Sequence, residues 1–263
     1  VLSFCNMDVL SGKFTFTGLD NYKRMIDSGY FFKSILNTLL IWIMSIIPQL
    51  TIAFILSLIL SNKWFRGKFI LRNLYYFPNL VTPVTIGLLF GALFSYPGGA
   101  VNNIITMLGL EAVDFQNHQM LARIVIAIAI CWKNFGFNII YFTAGINSIS
   151  DEVMEAAEVD GASAWQRITK ITIPLMKPIL IYVMVTSIIG GLQMFDVPQV
   201  LTNGKGDPNG STNTIIMYLN QHLYSKNYGM AGAVSTVLFL VCAVLCIAVL
   251  KTLDRSKEGG AGK

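Results

Sequence analysis

Long runs without a charged side chain constrain this sequence more than any other feature. Lys33 and Lys63 enclose 29 uncharged residues, Arg72 and Glu111 enclose 38, Lys177 and Asp196 enclose 18, and Lys226 and Lys251 enclose 24. Between Lys133 and Asp151 lie 17 more, preceded by nine from Ile124 to Trp132. Crossing a bilayer as a helix takes about 20 apolar residues. The runs predict five spans, at about 34–61, 72–95, 121–148, 178–197 and 229–250. Backbone polar groups in lipid have to pair within their own segment, so helices are the expected element. A β-barrel strand would alternate in polarity over about ten residues, and Ile52-Ala-Phe-Ile-Leu-Ser-Leu-Ile-Leu does not alternate. Charged residues are 13% of the chain against about 25% in soluble domains. The expected class is therefore an all-α polytopic transmembrane bundle forming one domain over residues 1–263.

Lysine and arginine set the expected orientation. Segments 62–72, 149–177 and 251–263 hold 11 of them in 53 residues: Lys63, Arg66, Lys68, Arg72, Arg167, Lys170, Lys177, Lys251, Arg255, Lys257 and Lys263. Segments 1–33, 96–123 and 196–228 hold 7 in 94: Lys13, Lys23, Arg24, Lys33, Arg123, Lys205 and Lys226. The denser set is expected in the cytoplasm. The net charge of +5 then fits loops facing an anionic leaflet and calls for no nucleic acid. Val1-Leu-Ser-Phe reads as the tail of an earlier span, so a sixth span is expected before residue 1. Gly259-Gly-Ala-Gly-Lys reads as a flexible tail or an engineered remnant.

Several chemistries find no support in the residue pattern. The loop Thr202–Thr212 is rich in turn formers, and its glycines lack the spacing of a dinucleotide fingerprint or a P-loop. Cys131, Cys242 and Cys246 fall in spans and read as packing residues; Cys5 stands alone outside. His118 and His222 are isolated, with no ligand spacing around them, so no metal site is expected. No nucleophile–base or paired-carboxylate arrangement suggests catalysis.

One island of charge interrupts the apolar sequence. Asp151, Glu152, Glu155, Glu158 and Asp160 are followed by Arg167, Lys170 and Lys177. Ser150 is placed to cap a helix with Asp151 and Glu152 at its positive dipole end. Val153, Ala156 and Ala157 make a narrow apolar face on it. Gly161 breaks that helix. Ser163 is placed to cap a second one carrying Trp165, Ile168 and Ile171/Thr172 at helical spacing, which Pro174 and Pro178 are expected to end. The small residues Ala156, Ala157, Gly161 and Ala162 permit close approach by another surface. The pattern fits either an amphipathic hairpin lying on the membrane or helix-in-groove docking with a cytoplasmic partner.

Glu155-Ala-Ala-x-x-Asp160-Gly161-Ala162, followed by Ile-x-Ile-Pro174 and a second proline, resembles the cytoplasmic loop signature of binding-protein-dependent ABC-transporter permeases, and of the maltose-permease branch in particular. Gly18-Leu-Asp-Asn-Tyr22, Asn37-Thr38, Trp132-Lys-Asn-Phe-Gly136-Phe, Phe195-Asp-Val-x-x-Val-Leu-Thr-x-Gly204 and Tyr228-Gly-Met-Ala-Gly-Ala233 agree, in family order over nearly the whole chain. Two departures are Ile168, where the family usually has Phe, and Gly204-Lys-Gly-Asp-Pro, where it more often has Gly-Gly-Pro. The resemblance implies a type I ABC importer permease fold in a bacterial or archaeal inner membrane. It implies a second homologous permease, two cytoplasmic ATPases that bind ATP and Mg in this chain's stead, and an extracytoplasmic sugar-binding protein. It assigns ATPase coupling to Glu155, Ala156, Ala157, Asp160, Gly161, Ala162, Trp165, Ile168 and Pro174. A secondary transporter or channel would need intramembrane ionisable groups, and only Lys133 lies well within an apolar stretch.

A sugar site needs aromatic faces and neutral hydrogen-bonding groups at membrane depth. Trp132, Asn134, Phe135, Asn138 and Tyr141 supply these in one segment, and Ser187, Gly190, Gly191, Gln193 and Met194 in another. In the family the two regions line the membrane cavity. Gly190 and Gly191 either open room for a ligand or let helices pack closely. Lys133 either snorkels or pairs with Asp196. The cargo is expected to be a sugar or oligosaccharide, with glycerol phosphate as the alternative.

Overall fold

The structure, a computed structural model, describes residues 1–7, 14–62 and 67–254. Lys13, Lys63, Arg66, Arg255, Lys257 and Lys263 of the charge count, and the tail Gly259–Lys263, lie outside the described residues.

Helix dominates. A 3-10 turn, Leu2–Phe4, opens the chain and leads into a small antiparallel pair, β1 (Cys5–Met7) against β2 (Phe14–Phe16), with Asn6 opposite Thr15. After it come α1 (Asp20–Asp27), α2 (Tyr30–Ser61), α3 (Lys68–Leu80), α4 (Pro83–Leu93), α5 (Ala100–Met107), α6 (Gln119–Asn147), α7 (Asp151–Val159) and α8 (Ala164–Gln166). A π-helical turn, Arg167–Thr172, leads to α9 (Ile173–Leu175), α10 (Lys177–Leu192), α11 (Asp196–Leu201), α12 (Ile215–Tyr224) and α13 (Tyr228–Asp254). Among the described residues four helices are long and apolar enough to cross a membrane: α2, α6, α10 with its continuation through α11, and α13.

The fifth expected span, 72–95, is not one helix. Pro83 has no N–H, and its ring holds Thr82 in the extended region at φ −64° and ψ 144°. The chain therefore stops at Leu80 and restarts at Pro83, with the Thr82 hydroxyl accepting from the Thr85 N–H at 3.3 Å. An uncharged run reports apolarity and length, and it is blind to this break.

Two compact units divide the chain. One comprises Val1–Ser45, Thr82–Ile130 and Ile189–Leu245; the other comprises Ile46–Val81, Cys131–Ile188 and the segment from Cys246. The first has a core of Met25, Phe31, Ile215, Tyr218, Met230, Ala233 and Val234. Within it α11 lies against α4 so closely that a side chain at Gly87 would meet Val200 Cβ at 2.8 Å. The second unit is built around Ala53, Leu60, Ile139, Phe142, Met176 and Val183, with Phe54 edge-on to Phe142 at 5.8 Å.

Polar side chains tie the loops of the first unit to its helices. Buried Asn21 donates to the Ser3 and Cys5 carbonyls at 3.1 and 3.2 Å. Buried Asn102 bonds Val113 through both its carbonyl oxygen and its amide nitrogen, at 2.8 and 3.0 Å. Thr38 accepts from the Ile215 N–H at 2.9 Å, and Thr214 donates to the Met194 carbonyl at 2.9 Å. Each bond satisfies a backbone group that the apolar surroundings would otherwise leave unpaired.

Candidate functional site: a charged hairpin and a polar stretch of two spans

The charged island folds as two short helical arms joined at a tight corner. Gly161 has φ +75°, a conformation open to glycine and strained for other residues. The Ala162 N–H bonds the Ala157 carbonyl at 2.9 Å and the Gly161 N–H bonds the Glu158 carbonyl at 3.0 Å, the paired closure of a Schellman motif. Two residues on, Ser163 and Gln166 form a reciprocal capping box, with the Gln166 N–H on Ser163 Oγ at 3.3 Å and the Ser163 N–H on Gln166 Oε1 at 2.8 Å. Arg167 then reaches across to Glu158 at 2.6 Å, tying the second arm to the first. An ion pair this exposed contributes about 0–1 kcal/mol; the closures at Gly161 and Ser163 do more to set the angle.

Three details differ from the sequence expectation. Ser150 occupies the cap position of α7 without a side-chain cap bond. The inward side of α7 is Met154 and Ala157, both half-buried, whereas Val153 and Ala156 are exposed, so the apolar face drawn through Val153, Ala156 and Ala157 is divided between two sides. The second arm does not end at Pro174. It widens into the π turn, passes Pro174 and ends at Met176, after which Pro178 sits in the first turn of α10. A proline inside a regular α-helix clashes with the carbonyl four residues back, and the π turn lies just ahead of it. At the start of a helix the missing N–H costs nothing, which is why Pro178 opens α10.

The result is a folded, charged hairpin with apolar groups facing away from the protein. Val159 is 88% exposed and Trp165 73%, while Ile168 is half-buried. Glu155, Ala156, Asp160 and Gly161 are also exposed, and Ala157 and Ala162 half-buried. Val159 and the Glu158–Arg167 pair were not singled out by the sequence reading. Nothing in the spacing marks the pair, since it joins residues across a corner.

The second candidate region lies on α6 and α10. Tyr141 and Tyr182 meet hydroxyl to hydroxyl at 3.1 Å, with ring centroids 4.9 Å apart, and Phe137 packs edge-on to Tyr141 at 4.7 Å. Phe135 faces Tyr75 at 6.1 Å. A side chain at Gly136 would run into the Tyr75 carbonyl, so this glycine lets α6 approach α3. Asn138 is 6% exposed, and its Nδ2 is buried without a hydrogen-bond partner. Trp132, Asn134 and Ser187 each make at least one polar or ring interaction. Tyr182, which the sequence reading did not select, is found only through its contact with Tyr141.

Gly190, Gly191, Gln193 and Met194 belong to the other compact unit. The indole of Trp42 occupies the space a side chain at Gly191 would need, so close packing accounts for that glycine. At Gly190 nothing lies within 4 Å. Gln193 is exposed; Met194 is buried and its carbonyl is taken by Thr214.

The family model for "Binding-protein-dependent transport system inner membrane component" matches residues 31–258. The chain is 32% identical over 234 residues to the lactose transport system permease protein of Rhizobium radiobacter, covering 88% of this chain and 78% of that one. It is 31% identical over 261 residues to the arabinooligosaccharides transport system permease protein of Halalkalibacterium halodurans, covering 98% and 81%. Its fold is similar to a chain of a bacterial ABC transporter involved in import of the acidic polysaccharide alginate, with a TM-score of 0.80, 26% identity, and coverage of 90% of this chain and 84% of that one.

Proposed function

The chain belongs to the family of binding-protein-dependent transport system inner membrane components, and from that premise we propose that it carries a neutral sugar or oligosaccharide and that its charged hairpin docks a cytoplasmic ATPase. It is a permease subunit of an ABC importer and not itself an enzyme. In this reading a second homologous permease completes the pathway. Two ATPase subunits hold ATP and Mg, one on each permease, and an extracytoplasmic binding protein delivers the sugar. A similar alginate transporter has been seen with a periplasmic protein bound to a pentasaccharide, which supports that order of delivery. The curated relatives named above carry lactose and arabinooligosaccharides. In the two intramembrane segments Lys133 and Asp196 balance in charge, which favours a neutral cargo.

The observation that carries the docking assignment is the exposure of Val159 and Trp165 on a hairpin whose corner is closed by backbone and side-chain bonds. An aromatic side chain held out on a stiff element is the usual anchor of a protein interface. Glu155, Ala156, Ala157, Asp160, Gly161, Ala162, Trp165, Ile168 and Pro174 form or flank this surface. ATP-driven closure of the ATPases would move the hairpin and, through α10, the span beyond it. The test is a double variant, Val159→Asp with Trp165→Ala, read by the ATPase retained on the purified permease and by uptake of labelled lactose, arabinotriose and maltotriose. The ATPase should be lost from the variant. Full retention and normal uptake would remove the docking assignment; failure of the wild type to take up any saccharide would remove the cargo assignment.

A further inference from the structure

The loop between α11 and α12 is held more firmly than a connection requires. Lys33 Nζ donates to the Asn209 carbonyl at 2.5 Å, Asn37 Nδ2 to the Gly210 and Asn213 carbonyls at 2.8 and 3.1 Å, and Arg123 Nε to the Ser211 carbonyl at 2.9 Å. Arg123 Nη2 also donates to Asn37 Oδ1 at 2.8 Å, so two of the three side chains that grip the loop also grip each other. Bonds from a guanidinium to carbonyl groups are stronger than neutral ones. The turn formers that read as a plain loop in sequence are therefore clamped to the ends of α2 and α6.

Beside the clamp, within the same compact unit and on the face that the charge asymmetry assigns to the outside, is a cavity of about 200 Å³. Its floor is apolar, from Ala122, Val125 and Ile126 of α6. One wall is the ring of Phe115, fixed edge-on by Phe94 at 5.1 Å. The rim is polar: Gln116, Asn117 and Asn203 bring amides, and Lys205 and Asp207 bring one charge of each sign. Asp114 orients the Asn117 amide, accepting from its Nδ2 at 2.6 Å.

This lining selects a class of ligand. An anion would meet Asp207, and a wholly apolar molecule would strip water from three amides without replacing it. A sugar ring has CH groups for the aromatic wall and the floor, and hydroxyls that both donate and accept for the rim. A cavity of about 150 Å³ admits a benzene ring, so the space here takes one sugar ring rather than a whole oligosaccharide. We propose that this cavity is an extracytoplasmic subsite that receives one ring of the saccharide as the binding protein releases it. The proposal rests on the carbohydrate reading above.

The test is protection of a thiol at the rim. In the assembled transporter in nanodiscs, without the binding protein, Gln116→Cys is modified with an impermeant maleimide and followed by mass spectrometry at that residue. The probes are lactose, arabinotriose and maltotriose, whose uptake is measured separately in intact cells. A transported saccharide at about twice its Kd should slow modification about threefold, since only the empty site reacts. Lys23→Cys, elsewhere on the same side, should react at an unchanged rate, and Phe115→Ala should abolish the protection. A saccharide that is transported yet leaves the rate unchanged overturns the subsite and leaves the cargo reading standing. In a parallel run with the binding protein added, protection that appears only there and ignores sugar also overturns it, and makes the cavity a protein-docking depression. If no probe is taken up at all, the cargo reading and the subsite fall together.

Discussion

Asn138 shows how a single side chain separates a structural role from a functional one. A buried amide left without a partner costs about 1–3 kcal/mol, and Asn138 Nδ2 is in that position. If a sugar hydroxyl is its partner, Asn138→Leu should raise the melting temperature of the empty permease and lower uptake. A fall in both would mean that the amide braces the fold instead. Gly190→Leu belongs to the same experiment, because nothing lies within 4 Å of that glycine, whereas at Gly191 a bulky residue strikes Trp42 whether or not sugar binds nearby. His222 supplies a pH signature outside the spans. Burial against Tyr218, with ring centroids 4.7 Å apart, lowers its pKa below the ordinary 6.5, and its Nε2 is buried without a partner. The unfolded chain then takes up the proton more readily than the folded one. The stability tied to this imidazole is complete above pH 6.5 and is lost as pH falls through the lowered folded value. Melting curves of the purified protein should show that slope, and His222→Phe should flatten it.

Among the elements, the hairpin is the one whose shape carries the proposed coupling. Its corner depends on a left-handed residue at Gly161, where no neighbour lies within 4 Å of a notional side chain. The cost of substitution is therefore conformational rather than steric, about 1–2 kcal/mol for an L-residue in that region, and higher for a β-branched one. Gly161→Val should open the corner and misplace Trp165 while leaving the spans assembled. The expected result is a complex that still binds its binding protein but loses saccharide-stimulated ATP hydrolysis; normal stimulation and uptake would refute the coupling role. The island of charge, the glycine break and the cap at Ser163 were all legible in the chain. The π turn and the passage through Pro174 were not, because both depend on how the second arm joins α10, and the inward turn of Met154 was not, because it depends on which side of α7 meets the rest of the protein.

For the molecule as a whole, the charge asymmetry makes a testable statement about sidedness. A cysteine at Val159, the most exposed large apolar side chain of the hairpin, should react with an impermeant reagent only after the cells are opened, and one at Lys205 should react in intact cells. Labelling of Val159→Cys from outside would invert the topology and undo the docking assignment with it. The chain by itself determined the membrane class, the number and rough limits of the apolar segments, and the position of the hairpin, since all of these follow from runs of composition and from local caps. Only the tertiary structure decided that the run from Arg72 breaks at Pro83, that Trp42 fills the space at Gly191, that Tyr182 joins Tyr141, and that Arg123 and Asn37 clamp a loop 88 and 173 residues away from them. These depend on which faces of different helices meet. Hydrophobic periodicity cannot report that inside a membrane, where lipid-facing and core-facing positions are equally apolar.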